Sequence, residues 1–186
     1  MKINQKGFWE NKTSEGHMHD RRLATAILDM LKKDECKTLV DFGCGMGYYP
    51  EQFRLAGIYC QAYDGNPNTY ALTLGTGRTQ DLSVDFDLNE KFDCVLSLEV
   101  GEHIPAEFES IYLDNICKHA KGMIILSWAV PGQDGAGHVN CQTNEYIIDQ
   151  MHLRAYTLDE VATKALRDAS SLWWFKNTIM VSNNLF

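Results

Sequence analysis

The sequence predicts an α/β fold with a mostly parallel sheet, helices on both faces and an antiparallel final strand. Continuous apolar runs such as TLVDFG, FDCVLSL and MIILSWAV are typical of strands that are buried on both faces. Helical segments separate these runs, and strands that alternate with helices form right-handed βαβ units. The run SLWWFKNTIMVSN breaks the alternation near the end of the chain. We therefore expect it to be a final strand that joins the same sheet in the antiparallel direction.

The individual elements follow from local patterns. RRLATAILDMLKK predicts a helix over 21–33, because its apolar residues recur at helical spacing, and Asp20 is a suitable N-cap. Further helices are predicted over 50–55, 67–72, 104–119, 143–151 and 158–168. Strands are predicted over 38–43, 58–64, 79–84, 92–98, 123–130 and 171–183. No repeat, low-complexity linker or charge run divides the chain, so residues 1–186 are expected to form a single domain.

The amino-acid composition limits the kinds of binding partner and the cellular location that we expect for this protein. The 186 residues carry 17 basic and 25 acidic side chains, a net charge of -8, which argues against a nucleic-acid partner and favours a small-molecule substrate. The six cysteines form no C-x-x-C pair and predict a reducing, cytoplasmic location. The N-terminus has no apolar leader, and MIILSWAV is too short to cross a bilayer, so no membrane span is expected.

A glycine turn follows the first predicted strand. Asp41 precedes Gly43, Gly45 and Gly47, and these glycines let the backbone approach a ligand that side chains would block. The dinucleotide fingerprint G-x-G-x-x-G would need glycine at position 48, where this chain has Tyr48. The spacing G-x-G-x-G after an acid instead resembles motif I of the class I S-adenosylmethionine-dependent methyltransferases.

This resemblance extends from Leu23 to the C-terminus and implies a Rossmann-like seven-stranded sheet with S-adenosyl-L-methionine as cofactor. It implies that Asp64, at the end of the second strand, binds the ribose hydroxyls, and that Asp81 and Leu82 contact the adenine ring. Asp41 and the three glycines complete the cofactor site. Backbone N–H groups of the turn, near the start of a helix, are expected to hold the cofactor's carboxylate.

The stretch SLEVGEHIP follows the strand FDCVLSL. If it is helical, Glu99, Glu102 and His103 are related as i, i+3 and i+4 and share one face. E-x-x-E-H at this place resembles two metal-associated branches, the ubiquinone-pathway and the small-RNA 2′-O-methyltransferases. The RNA branch adds a histidine from the loop after the fifth strand, which implies His138 here. The resemblance thus implies a divalent ion such as Mg²⁺ or Mn²⁺ on these four residues, with iron, cobalt and zinc also open.

Such an ion would lower the pKa of an acceptor hydroxyl, which implies an O-methyltransferase acting on a diol, preferably a small carbohydrate. Without a metal, His103 or His138 would be the general base. Two other functions stay open: a metal-independent N- or carboxyl-methyltransferase, and a catalytically silent cofactor-binding subunit. Cys141 is expected to be a core residue rather than a ligand.

Residues 1–20 contain GFWENKTSEGHMHD, and the resemblance implies a lid over the cofactor. The alternative is a frayed terminus with a solvated helix cap. Trp128, Trp173 and Trp174 are expected in the core or in the wall of the pocket.

Overall fold

A seven-stranded sheet forms the centre of the computed structural model, which describes residues 2–185. Met1 and Phe186, the ends of the predicted domain, lie outside the described residues. The strands are β1 (Thr38–Phe42), β2 (Tyr59–Asp64), β3 (Arg78–Thr79), β4 (Phe92–Leu98), β5 (Ala120–Ser127), β6 (Tyr156–Leu158) and β7 (Met180–Asn184). Their order across the sheet is β3-β2-β1-β4-β5-β7-β6. β7 is antiparallel to both β5 and β6, and the other neighbours are parallel.

Helices cover both faces of this sheet. They are α1 (Arg21–Lys33), α2 (Tyr48–Leu55), α3 (Thr69–Leu72), α4 (Glu109–His119), α5 (Asn144–His152), α6 (Glu160–Ala169) and α7 (Phe175–Thr178). One core contains Val40 and Phe42 of β1 together with apolar residues of α4 and α5. The other contains Leu39 of β1 together with residues of α1, α2 and α6. Alternate residues of a strand point to opposite faces, so one buried strand contributes to both cores.

The predicted fold class is confirmed by this topology. Several predicted boundaries are wrong, and the strand predicted over 123–130 lies earlier, at Ala120–Ser127. β3 has two residues instead of six, and the predicted helix over 104–119 starts at Glu109, after short 3₁₀ turns at Gly101–His103 and Ala106–Phe108. The predicted strand over 171–183 is shortened to Met180–Asn184, because α7 occupies its first half, and β6 was not predicted at all. Among the described residues, none of the helices has the length and apolarity that a bilayer crossing requires.

Asp20 caps α1 as expected, and it also joins two distant parts of the chain. One carboxylate oxygen accepts hydrogen bonds from the N–H groups of Arg22 and Leu23 at 3.1 and 3.0 Å. The same carboxylate accepts from the N–H groups of Ser171 and Leu172 at 2.6 and 2.9 Å. Burial acts to raise the pKa of Asp20, but these hydrogen bonds outweigh it and lower the pKa below the usual aspartate range. Asp20 thereby fixes the segment before α7 against the start of α1.

Candidate active site

A cavity of about 510 Å³ lies at the carboxyl ends of β1, β2 and β4. The sheet reverses its order between β1 and β4, which is where open α/β folds bind ligands. The glycine turn, the N-terminal segment, the loop after β5 and the segment before α7 supply its walls. The predicted residues that line it are Asp41, Gly43, Gly45, Asp64, Asp81, Leu82, Glu99, His103 and His138.

The glycine turn has the conformation that its composition predicts. Gly43, Gly45 and Gly47 have φ values of 84°, 52° and 74°, in the left-handed region that side chains disfavour. A Cβ atom on Gly45 would lie 2.6 Å from Nδ1 of His17. Gly47 is the N-cap of α2 and does not line the cavity directly.

Most N–H groups of this turn already have acceptors within the protein. Those of Gly43 and Cys44 donate to the carbonyl of Tyr63 at 2.7 and 3.0 Å. The N–H of Gly47 donates to the carbonyl of Cys44 at 2.8 Å. The N–H of Gly45 donates to Oδ2 of Asp64 at 2.8 Å. Few N–H groups of this turn therefore remain available to donate to the carboxylate of the cofactor.

Three acids line the cavity at the cofactor positions that the sequence predicts. Asp64 ends β2, and its second oxygen accepts from the N–H of Asn66 at 2.8 Å. Asp81 accepts from the N–H and the hydroxyl of Ser83 and pairs with Nζ of Lys6 at 2.6 Å. Asp41 is buried, and burial together with the nearby Asp64 charge raises its pKa to about 8.

Glu99 does not start a helix. Its φ is 54°, and the 3₁₀ turn begins only at Gly101, so the predicted i, i+3, i+4 face of one helix is wrong. Oε2 of Glu99 accepts from Nε2 of Gln133 at 2.7 Å, and Oε1 accepts from the hydroxyl of Thr178 at 3.3 Å. Burial raises the pKa of Glu99, and these hydrogen bonds oppose that rise. Its carboxylate is thus held toward the cavity by two other elements.

Glu102 is the most unusual carboxylate of the site. Its side chain is 0% exposed, and neither carboxylate oxygen has a hydrogen-bond partner among the described residues. Burial and the charge of Glu99 raise its pKa well above the usual glutamate range, and the nearby main-chain N–H groups of Glu102 and Ala129, which do not reach hydrogen-bond geometry, oppose this rise only weakly. A buried carboxylate with no partner costs free energy unless a proton or a cation compensates its charge.

Two imidazoles face Glu102. Nδ1 of His103 lies 3.2 Å from the carbonyl of Gly137, and Nδ1 of His138 lies 3.0 Å from the carbonyl of Gln133. A carbonyl can only accept, so both rings donate from Nδ1, which leaves Nε2 as the ring atom that can face an ion. Nε2 of His138 lies 3.9 Å from Oε1 of Glu102. Burial, with His138 nearby, lowers the pKa of His103 to about 4, so this ring stays neutral at physiological pH.

The three side chains fit a divalent ion. One ligand atom each from Glu102, His103 and His138 lies within 4.8 Å of the others. Atoms that bind one ion at about 2.0–2.2 Å lie roughly 3–4 Å apart, so small adjustments would complete the site. Nδ1–H groups tied to carbonyls are also the usual support of metal-binding histidines. Glu99 is not part of this group of ligand atoms.

The N-terminal segment contacts the same region. Ile3 and Trp9 form an antiparallel bridge, and Lys6 pairs with Asp81. The indole of Trp9 lies 5.1 Å from the ring of His17 and 5.6 Å from that of His103, between ring centroids. The structure thus adds contributors that were not among the predicted site residues: Lys6, Trp9, His17, Gln133 and Thr178. Of these, only Trp9 and His17 could be expected from the sequence, because they belong to the segment GFWENKTSEGHMHD that is predicted to cover the cofactor.

The fold and the cavity together define a class of protein. A sheet of this order, with a glycine turn after β1 and an acid at the end of β2, is the architecture of the class I S-adenosylmethionine-dependent methyltransferases. A family model described as a methyltransferase domain matches residues 15–164. The chain belongs to this family: it is an S-adenosylmethionine-dependent methyltransferase.

Several solved structures share this fold. A sugar N-methyltransferase (KedS8) from Streptoalloteichus sp ATCC 53650 is similar with a TM-score of 0.72 and 12% identity, over 99% of this chain and 98% of that chain. The SAM-bound amino pentose methyltransferase (CalS10) from Micromonospora echinaspora has a TM-score of 0.69 and 16% identity, over 87% and 89%.

A third similar structure is the magnesium protoporphyrin IX methyltransferase from Synechocystis PCC 6803 with bound SAH, with a TM-score of 0.68 and 18% identity, over 87% and 81% of the two chains. At these identities the similarity is one of fold. A search of curated protein sequences finds no significant match.

Proposed function

We propose that this methyltransferase transfers the methyl group to a hydroxyl oxygen of a small, diol-bearing substrate such as a sugar, with the help of a divalent ion. The observation that carries the proposal is Glu102, a fully buried carboxylate without a partner that faces two imidazoles. An ion at this place would offset the cost of burying the charge. An alcohol is a poor nucleophile while it is protonated. A divalent ion that binds its oxygen would lower the pKa of the hydroxyl, which is why an oxygen acceptor favours a metal site.

The low pKa of His103 favours the role of metal ligand over that of general base. A base with a pKa of about 4 accepts a proton poorly at neutral pH, whereas a ligand must be unprotonated in order to bind. When bound, S-adenosylmethionine supplies an electrophilic methyl group, and the ion supplies Lewis acidity toward a hydroxyl. Glu99 is the fourth ligand of the proposed set. It lies outside the group of ligand atoms of Glu102, His103 and His138, so it would have to exchange its hydrogen bonds to Gln133 and Thr178 for the ion.

The cavity supports a small acceptor. Its acidic lining, which includes Asp64, Asp81 and Asp134, repels a polyanion, as does the net charge of -8. The exposed face of Trp173, 57% accessible at the rim, offers a surface on which a sugar ring can stack. Two of the similar structures are named as methyltransferases of sugars. CalS10 is named as an amino pentose methyltransferase, and KedS8 is named as a sugar N-methyltransferase, which acts on nitrogen.

We also propose that residues 1–20 form a lid and that the whole chain is one domain. Lys6 contacts Asp81 and Trp9 contacts His103, two residues of the cavity wall, as expected for a covering segment. All six cysteines are unpaired, which is consistent with the reducing conditions of a cytoplasmic protein.

Metal binding and chelator sensitivity test the proposal. The Glu102→Gln variant should lose Mn²⁺ binding by about tenfold or more in calorimetry, since it removes an anionic ligand, and should keep its affinity for S-adenosylhomocysteine. Methyl transfer to a panel of sugars and catechols should require Mn²⁺ or Mg²⁺ and stop in excess EDTA. Glu107→Gln, an exposed glutamate on the same segment, is the matched control and should change neither quantity.

Two results would contradict the proposal. Wild-type activity on a diol that persists in excess EDTA would leave only the general-base mechanism. Efficient transfer to an amino sugar or a carboxylic acid, with none to hydroxyls, would instead support the metal-independent N- or carboxyl-methyltransferase.

A further inference from the structure

Two nitrogen atoms of residues that line the cavity have no hydrogen-bond partner among the described residues. Nε1 of Trp9 and Nε2 of His17 are both buried and make no hydrogen bond to any described residue. Both side chains line the 510 Å³ cavity, and their ring centroids are 5.1 Å apart. An indole N–H can only donate, so leaving it buried without an acceptor costs free energy. A ligand group that accepts from both atoms would remove this cost.

The position of His17 connects this pair to the cofactor site. Its ring lies against Gly45, where an added Cβ atom would come within 2.6 Å of Nδ1. Burial lowers the pKa of His17, and the charge of Asp64 opposes that shift. His17 therefore lies over the glycine turn and near the acid that ends β2. It is a neutral ring that can donate from Nε2.

The charges of the cavity indicate what this ligand group is. Five of the described lining residues are acids, and they suit the cationic and hydroxyl groups of S-adenosylmethionine. The cofactor also carries one carboxylate, which needs donors. Lys6 is already paired with Asp81, and His103 and His138 donate from Nδ1 to main-chain carbonyls. The N–H groups of Gly43, Cys44, Gly45 and Gly47 are also in use.

We propose that Trp9 and His17 bind the carboxylate of the methionine part of the cofactor, with Nε1–H of Trp9 and Nε2–H of His17 as donors. The N-terminal segment is then a direct part of the cofactor site. This assignment depends on cofactor binding alone and is independent of the metal and of the acceptor.

Comparing two ligands isolates the carboxylate. S-adenosylhomocysteine carries the amino-acid part, and 5′-methylthioadenosine has the same nucleoside without it. Trp9→Phe and His17→Ala should each weaken S-adenosylhomocysteine binding by about tenfold or more, because hydrogen bonds to charged groups are lost. Both variants should leave the affinity for 5′-methylthioadenosine unchanged in calorimetry.

His19→Ala is the matched control. Nε2 of His19 is also buried without a partner in the described chain, but this ring stacks on Tyr48 and does not line the cavity. The His19→Ala variant should bind both ligands with the affinity of the wild type. An equal loss of affinity for both ligands in Trp9→Phe and His17→Ala would overturn the proposal, since it would indicate a general loss of the segment's structure or a contact to the nucleoside. Unchanged affinity for S-adenosylhomocysteine would overturn it as well.

Discussion

Asp64 holds the glycine turn and, by our assignment, the ribose. Each of its carboxylate oxygens accepts one backbone N–H, from Gly45 and from Asn66, so its side chain is oriented before any ligand binds. Such preorganisation lowers the cost of binding. The acid was predictable from its place at the end of β2, but its bond to Gly45 was not, because that bond depends on how closely two loops approach.

Replacing Asp64 should therefore weaken cofactor binding. We expect Asp64→Ala to reduce the affinity for S-adenosylhomocysteine by on the order of 1.5–3 kcal/mol, the range for hydrogen bonds to a charged group. Calorimetry measures this directly, and Asp85→Ala, an exposed acid outside the cavity, serves as control. Wild-type affinity in a folded Asp64→Ala protein would remove Asp64 from the site.

The loop after β5 illustrates what sequence patterns predict of an element. The resemblance implied that His138 of this loop is a metal ligand, and the structure brings His138 close to Glu102 and His103. The contacts that hold the loop were not predictable. Nδ2 of Asn140 donates to Glu109 at 2.8 Å, and the N–H of Asn140 donates to the carbonyl of Glu102 at 2.9 Å. These pairings join elements far apart in sequence, and no periodicity marks them.

The same loop provides a steric test of the metal site. A Cβ atom on Gly135 would lie 2.1 Å from Nε2 of His138, and the φ of Gly135 is not in the left-handed region. Gly135→Ala should therefore displace the imidazole without straining the backbone. We expect Mn²⁺ affinity to fall by about tenfold or more, with unchanged S-adenosylhomocysteine affinity.

Gly122→Ala in β5 is the control for the added methyl group, because its Cβ would have its nearest neighbour at 3.9 Å. If Gly135→Ala binds Mn²⁺ as tightly as the wild type does, His138 is not a ligand.

At the scale of the whole molecule, the buried acids of the site couple stability to pH. The pKa of Asp41 is raised to about 8, so its carboxyl stays protonated in the folded state while the unfolded chain ionises above about pH 4. Its contribution to the free energy of unfolding is therefore fully present below pH 4 and is lost as the pH rises through about 8. The raised pKa of Glu102 acts in the same direction.

Asp41→Asn should remove this pH dependence. The melting temperature of the ligand-free variant, relative to that of the wild type, should rise between pH 5 and pH 8, by an amount that corresponds to a few kcal/mol at most. Thermal unfolding followed by circular dichroism at a series of pH values measures the difference. A constant difference across this range would show that Asp41 is already ionised in the folded protein.

The sheet itself was largely predictable from the sequence, and the surroundings of the site were not. β4 was predicted to the residue, because FDCVLSL is a continuous apolar run between polar segments. β6 has only three residues, which are too few to show a periodic pattern. The apolar run that contains Trp173 and Trp174 is typical of a strand, but helix α7 follows these two residues. Short elements depend on contacts with the rest of the fold rather than on their own sequence.

The hydrogen bonds of Asp20 to Ser171 and Leu172 have a consequence for the order of folding. They join residues 151 and 152 positions apart, and closing so long a loop carries a large entropic cost before any contact compensates it. Contacts of this kind tend to form after the more local pairings of neighbouring strands. We therefore expect the wall of the cavity before α7 to assemble late on the folding pathway and to detach early on unfolding, so that ligand binding is lost while most of the sheet is still intact.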